Sequence, residues 1–544
     1  MSSERKAVIK ISLMVGTKSP PGEGRLFKEP PVIWDGKSYS LSRIYSNAGL
    51  DIEVNTESQE IPDLMNGRYT QNDLMVMKDE FRPISSPFGI NAWLVIVNGI
   101  LRAPDQNTGV MQDRTDVLGF MFDQDKRTGT AVFYQNQEVR TKPFAYLRTS
   151  AHELGHQFNL HHRDAFMHRP TSGGRKYSIM NQTLIIQKYG LQGFENWSAA
   201  AELEFGEHER DHLTNHPITK VAPGLSPNDG TCTSDHVAWH QSASTTLGVT
   251  NPGDLTPFDV TQPAENVQLD LHIQMGKPEY LPGQPAIAYL KLTNNGSNPV
   301  SIIDEFDPQF HVVKFYIKAD DKEVEFLPKS LIDFTPEPKV LNPRESTSGR
   351  AKIFYGAHGY SFSDPGTYKV RAEYNGLLDY YGKTISSNTI DVIIQSPKNN
   401  EEEEQVKLIK GDQQALVFLF EGGEGLTDGM NQLTRLAQEY PDSTLGSYAN
   451  AVLGLHWSKD SADFKNKRVR NADHEKASSF LTRAKPNVSG YWANATFLNL
   501  AEVSKKSGDK TSDKATLQEF VDKFKKDSKN AKAVEVARKI LNEQ

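Results

Sequence analysis

Residues Ser150–His162 read S-A-H-E-L-G-H-Q-F-N-L-H-H, with His152 and His156 four positions apart and Glu153 beside the first. On a helix, residues four apart stand one above the other with Cβ atoms about 5–6 Å apart, so two imidazoles in this arrangement can hold one ion. At about 100° per residue, Phe144, Leu147, Ala151, Leu154 and Phe158 fall on the opposite face, which predicts a helix with a buried back and a face turned to a cleft. Glu153 lies about 100° round from His152, toward the space that a non-protein ligand would fill. That is where a general base belongs.

A helix running on past His156 would carry residue 162 about 9 Å further along its axis, out of reach of the same ion. His162 returns to it only if the chain reverses, and Asn159 is placed to reverse it. After Gly, Asn is the residue that most readily takes the left-handed conformation that ends a helix. Zn2+ on His152, His156 and His162 would keep one position open for water and lower that water's pKa to about 7, within range of deprotonation by Glu153.

These residues resemble the metzincin zinc endopeptidases, whose signature is H-E-x-x-H-x-x-G-x-x-H followed by a methionine turn. His152, Glu153, His156 and His162 match it position by position, and Asn159 stands where most members have Gly. Tyr177-Ser178-Ile179-Met180 is similar to the methionine turn, in which Met180 would form an apolar floor beneath the imidazoles; the alternative is an ordinary core methionine. Gln182 stands where some members carry a tyrosine that assists at the metal, so no tyrosine is assigned to catalysis. The resemblance implies hydrolysis of peptide bonds in a protein or peptide substrate, with Glu153 acting as base and then as acid.

Upstream, Ala7–Val15, Leu50–Val54 and Ala92–Val97 read as strands, the last a continuous apolar run suited to a doubly covered position, and Leu41–Asn47 reads as a short helix. Leu118–Phe122 and Thr130–Tyr134 read as a hairpin. The resemblance makes the first of these an antiparallel edge strand, to which an extended substrate could add. Asp123 and Asp125 in the connector suit either a calcium ion or, more simply, a solvated hairpin tip. A second H-E-x-x-H, at His208–His212, has a charged interior and no third histidine or methionine turn after it. It is expected to be a surface-facing helix anchored by Leu203, Phe205 and Leu213, closing the domain near His216.

At 544 residues the chain predicts a multidomain protein. The expected order is an α+β metzincin-like peptidase domain over 1–216, a linker over 217–266, an all-β immunoglobulin-like sandwich over 267–397, an acidic linker over 398–404, and an all-α array of helical hairpins over 405–544. Alternating Val267, Leu269, Leu271 and Ile273 open the sandwich, and Asp364-Pro365-Gly366-Thr367-Tyr368 looks like its tyrosine corner. The helical blocks resemble tetratricopeptide hairpins without a strict period; a plain bundle is the alternative, and a protein partner would dock on the array.

A net charge of −8 gives no reason to expect nucleic acid, and no apolar run approaches the roughly 20 residues that span a bilayer. The N-terminus lacks a signal-peptide pattern, which predicts the cytoplasm, whereas the resemblance implies secretion. Cys232, the sole cysteine, permits no intrachain disulfide and reads as an unremarkable linker thiol rather than a cap on the zinc. Two functions remain: a zinc endopeptidase, or a non-catalytic binding scaffold with a structural zinc. An intact Glu153 favours the first, because a structural site has no use for a base beside an open position.

Overall fold

The computed structural model describes residues 5–22, 30–34, 36–57, 60–83, 90–124, 126–160, 178–180, 183, 203–223, 267–320, 322–378 and 384–543. In chain order its first unit is built from β1 (Arg5–Leu13), α1 (Leu41–Asn47), β2 (Leu50–Thr56), α2 (Gln71–Phe81), β3 (Ile90–Val97), β4 (Val117–Met121), β5 (Thr130–Phe133), α3 (Pro143–Gln157), α4 (Glu207–Asn215) and α5 (Ile218–Val221). β3 carries almost no polar alternation because both of its faces are covered, and it runs parallel to β1 (Ile9 opposite Ala92) and to β5 (Leu94 opposite Thr130). β4 runs antiparallel to β5, with Phe120 opposite Ala131, so the expected hairpin forms. Leu147, Ala151, Leu154 and Phe158 bury the back of α3 in one cluster with Ile9, Ile11, Leu94 and Ile96.

The second unit contains β6 (Leu269–Met275), β7 (Ile287–Asn294), β8 (Val313–Ala319), β9 (Leu331–Phe334), β10 (Ser346–Lys352), β11 (Gly366–Tyr374) and β12 (Ile390–Ile394). One sheet has the order β6-β7-β10, and the other holds β12, β11 and β8 side by side. Leu271, Ile273, Leu290 and Leu292 of the first share a core with Phe315, Ile317, Val370 and Val392 of the second. The Tyr368 hydroxyl donates to the Asp364 carbonyl at 3.0 Å, the back-bond expected of a tyrosine at this corner.

One strand departs from that plan. β9 leaves its own sandwich and pairs antiparallel with β4, Ile332 opposite Phe120 and Asp333 opposite Gly119. The first sheet therefore has the order β9-β4-β5-β3-β1-β2. The expected open edge at Leu118–Phe122 is covered, because downstream chain satisfies the N–H and C=O groups that an edge strand leaves exposed.

Two expected boundaries also shift. Ile218–Val221 is helical with Val221 fully buried, so the first unit runs past residue 216 into the segment read as a linker. The acidic run at 398–404 opens α6 (Asn400–Lys410): the Asn399 side chain accepts from the Glu402 N–H at 2.8 Å, and Glu401, Glu402 and Glu403 sit at the positive end of the helix dipole. What reads as a linker by charge is a capped first turn.

The helical unit continues through α7 (Gln413–Glu421), α8 (Thr427–Glu439), α9 (Thr444–Trp457), α10 (His474–Ala484), α11 (Gly490–Lys506), α12 (Lys510–Phe524) and α13 (Ala531–Glu543), each packed on the next. Ser443 caps α9 by accepting from the Gly446 N–H at 2.9 Å. This unit also grips the first one: the Asn494 side chain donates to the Asn107 carbonyl at 2.8 Å, and Asp73 accepts from the Ala462 N–H at 2.9 Å. Overall the chain is a mixed α/β, multidomain protein. Among the described residues no helix is long and apolar enough to cross a membrane.

Candidate metal centre

Helix α3 begins with Pro143 at its first position, where a missing N–H costs nothing, and ends against the central strand. There the Gln157 amide accepts from the Trp93 N–H at 2.9 Å and donates to the Trp93 carbonyl at 2.7 Å. It supplies both partners that a neighbouring peptide group would have supplied, which fixes the rotation of α3 about its axis.

His152 and His156 project from that helix, both fully buried. His152 Nδ1 lies 2.7 Å from the Ile179 carbonyl and His156 Nδ1 lies 2.9 Å from the Leu160 carbonyl, so each Nδ1 carries the proton and each Nε2 a lone pair. The two Nε2 atoms stand 3.2 Å apart. Burial, then the Arg148 charge, pushes His152 well below the usual imidazole range; burial, then Arg127, takes His156 down to about 3. Two neutral acceptors at that distance fit a shared cation. Ligand nitrogens at about 2.0–2.1 Å from a tetrahedral zinc are themselves about 3.3 Å apart.

Past the histidines, Asn159 adopts φ +62°, the left-handed turn expected of it, and its amide donates to the Lys220 carbonyl at 2.8 Å. Arg127 braces the same turn from the β4–β5 connector, donating to the carbonyls of His156 (3.2 Å) and Leu160 (3.4 Å). Around the exposed Lys126, the described residues of that connector turn inward instead of forming a solvated tip: Arg127 is buried, and Asp123 forms a 2.7 Å ion pair with Lys78 and accepts from Thr128 at 2.5 Å. Its carboxylate serves structure instead of calcium.

Met180 is fully buried against Gly155, where an added Cβ would stand 2.4 Å from Sδ, so the methionine lies directly under the helix turn that carries His156. The second pentapeptide holds this turn in place. Ser178 Oγ donates to Glu209 at 2.9 Å, and His212 Nε2 lies 3.0 Å from the Phe158 carbonyl. α4 is thus anchored by Leu203, Phe205 and Leu213 as expected, but it also turns Glu209 and His212 inward. Its charged spacing reflects polar clamps on the site as well as a surface.

Glu153 is 1% exposed and stands over Gly119, where an added Cβ would come within 2.0 Å of Oε1. Only glycine leaves room for the carboxylate. Oε1 has no hydrogen-bond partner among the described residues, and burial, reinforced by Asp333, raises the carboxyl well above its usual range. Asp333 arrives on β9. His152, Glu153 and Asp333 each offer a ligand atom within 4.8 Å of the others, a buried group that can hold a metal ion.

Arg148, one turn before His152, ties this group together. It pairs with Asp333 Oδ2 at 3.3 Å and donates to Thr183 Oγ1 at 2.6 Å and to the Ile179 carbonyl at 3.0 Å. Its 3.4 Å approach to His152 Nδ1 is two donors converging on that carbonyl. Thr183 in turn donates to Asp333 at 2.8 Å. His311, from the second unit, lies near both histidines, and burial holds its own ring down to about 3, so it is neutral beside them.

The structure therefore brings together His152, Glu153, His156, Asn159 and Met180. His162, Tyr177, Gln182, Asp125, Cys232 and the side chain of His208 lie outside the described residues. Arg148, Arg127, Thr183 and Asp333 were not foreseen. Arg148 left a signal, since 148, 152 and 156 share one helix face at steps of four and a cation there calls for a buried anion.

No protein-family profile and no curated protein matches the chain. Among solved structures, Spo0M, a sporulation control protein of Bacillus subtilis, shares 11% identity over 26% of this chain and 55% of its own, with a TM-score of 0.16. A CARDB domain from Pyrococcus furiosus, solved with di-metal ions, shares 15% over 26% of this chain and 99% of its own, at 0.14. The DNA glycosylase AlkC of Pseudomonas fluorescens shares 12% over 39% of this chain and 51% of its own, at 0.17. At such scores none carries an argument about fold or function.

Proposed function

We propose that the chain is a zinc endopeptidase of metzincin type, with His152 and His156 as metal ligands, His162 as the third, Glu153 as general base and acid, and Met180 as the floor of the site. The supporting observation is the 3.2 Å separation of the two Nε2 atoms with both Nδ1 protons committed to carbonyls. A zinc ion held there would polarise a substrate carbonyl and acidify a water. Glu153 takes the proton of the attacking water and returns it to the departing amine. Its Oε1, lacking any described hydrogen bond, is available for that exchange. In this reading the sandwich is immunoglobulin-like, the helical unit is a set of tetratricopeptide-like hairpins, and both position protein substrates.

One observation favours a second reading. Asp333 lies within 4.8 Å of His152 and Glu153, so an ion on these three side chains would be a structural clasp between the first two units. Metal analysis and cleavage of casein, with and without chelator, separate the two. We expect one zinc per chain and chelator-sensitive hydrolysis that Glu153→Gln abolishes while keeping the metal. Bound zinc with no such hydrolysis, in wild type or in a variant opened at residues 331–334, overturns the peptidase.

A further inference from the structure

We propose that β9 is a built-in occupant of the substrate cleft, held there through Asp333, so that the chain as folded is latent. The inference rests on the peptidase reading above.

Three features of β9 support it. The first is position: an extended substrate would add to the outer edge of β4, and residues 331–334 already lie along it, antiparallel, with a bulge between Asp333 and Phe334. The pairing is extended at both ends, by the Gln124 N–H donating to the Lys329 carbonyl at 2.8 Å and the Thr335 N–H donating to the Asp116 carbonyl at 2.8 Å. A peptide cannot use this edge while β9 holds it.

The second is chemistry. Asp333 lies opposite Gly119, the residue that makes room for Glu153, and its carboxylate meets His152 and Glu153 within 4.8 Å. Arg148 and Thr183 orient it. These contacts pin the segment to the helix that carries His152 and His156.

The third is anchorage. β9 is the strand of the second unit that abandons its sandwich, yet it stays anchored: the Phe334 ring packs against Phe310 of that unit with centroids 4.8 Å apart, and Lys329, just before the strand, pairs with Glu421 of the helical unit at 2.5 Å. Opening the cleft therefore requires the segment to swing out of both units or to be cut. Neither alters the first sheet, whose remaining strands pair independently of β9.

Two perturbations of opposite sign test this. Asp333→Ala removes the ion pair and hydrogen bond that tie β9 to Arg148 and Thr183, and should release the strand from the edge. The pair Met121→Cys and Leu331→Cys, which sit directly opposite each other, should lock it through a disulfide that a phosphine reductant releases. The readouts are casein turnover and, in a Glu153→Gln background that cannot turn over, the anisotropy of a fluorescein-labelled unstructured peptide.

We expect Asp333→Ala to raise turnover at least tenfold and to tighten peptide binding by a similar factor. The oxidised double-cysteine protein should neither bind nor cleave, and reduction should restore it to the wild-type level. Equal turnover and equal peptide binding in wild type, Asp333→Ala and the oxidised lock overturn latency and leave the peptidase reading standing, provided that hydrolysis still depends on Glu153. Tighter peptide binding without any Glu153-dependent hydrolysis supports the occlusion and removes the peptidase.

Discussion

Replacing Arg148 by Met in metal-free protein removes the only described cation paired with Asp333 and leaves that carboxylate between β4 and α3. The pair is 0% and 3% exposed, so the value for surface pairs, up to about 1 kcal/mol, does not apply. Stranding one partner of a buried pair costs about 3–5 kcal/mol. Proton uptake sets a ceiling on that cost. Holding a proton on a carboxyl whose ordinary pKa is 3.8 costs about 4 kcal/mol at pH 7, and about 2 kcal/mol at pH 5. The direction follows from linkage: the folded variant keeps a proton that its unfolded chain releases, so stability falls as pH rises. For a unit of roughly 200 residues, about 2–4 °C per kcal/mol gives a loss of about 8–16 °C in Tm at pH 7 and about half that at pH 5. The double variant Arg148→Met with Asp333→Leu should recover most of it, retaining a deficit of about 1–2 kcal/mol for the hydrogen bonds to Ile179 and Thr183. Calorimetric melts at the two pH values decide the matter. Single and double variants that melt together, or a deficit that does not change with pH, would refute the reasoning.

Gly119→Ala should lower kcat/KM about 100-fold in the opened Asp333→Ala background without loss of zinc, because the new Cβ meets Glu153 Oε1 at 2.0 Å and must displace it by more than an ångström; undiminished turnover would show that the carboxylate is not where the chemistry occurs. Glu305 is pushed up to about 7 by burial against the pull of Arg114, so the proton it holds when folded favours folding below its ordinary pKa of 4.5, and that contribution is lost as pH rises toward 7. Glu305→Gln should flatten this decline in melts taken between pH 4.5 and 7.5, and an unchanged slope would assign the pH dependence elsewhere.

The parts of the fold that were legible are those fixed by short-range pattern. Leu41–Asn47 is helical over the expected span because Ser40 caps it and Leu41, Ile44 and Tyr45 face inward. The apolar run at Ala92–Val97 becomes the covered central strand, and Asn159 takes the left-handed turn its side chain permits. The acidic helix was hidden because a run of Glu reads as solvated chain until Asn399 is recognised as its cap. β9 was hidden for a different reason: L-I-D-F has a buried charge at its third position, which counts against a strand, and its partner Gly119 lies far upstream. Only Arg148, on a face otherwise committed to ligands, hinted that an anion would have to come from elsewhere.

The same residue therefore serves stability and restraint, and that coupling separates the two functional readings. Asp333 answers the charge of Arg148 and also stands within 4.8 Å of the histidine and carboxylate of the site, so removing it both strands the arginine and loosens β9 beside them. If the ion is a structural clasp, Asp333→Ala should lower Tm and metal affinity together with no compensating gain. If the site is a latent peptidase, the same variant should lose Tm while gaining turnover, the signature of a strained arrangement held against function. The two readings agree on the cost of the substitution and differ only in what appears in return, so a melt and a cleavage assay on one preparation separate them.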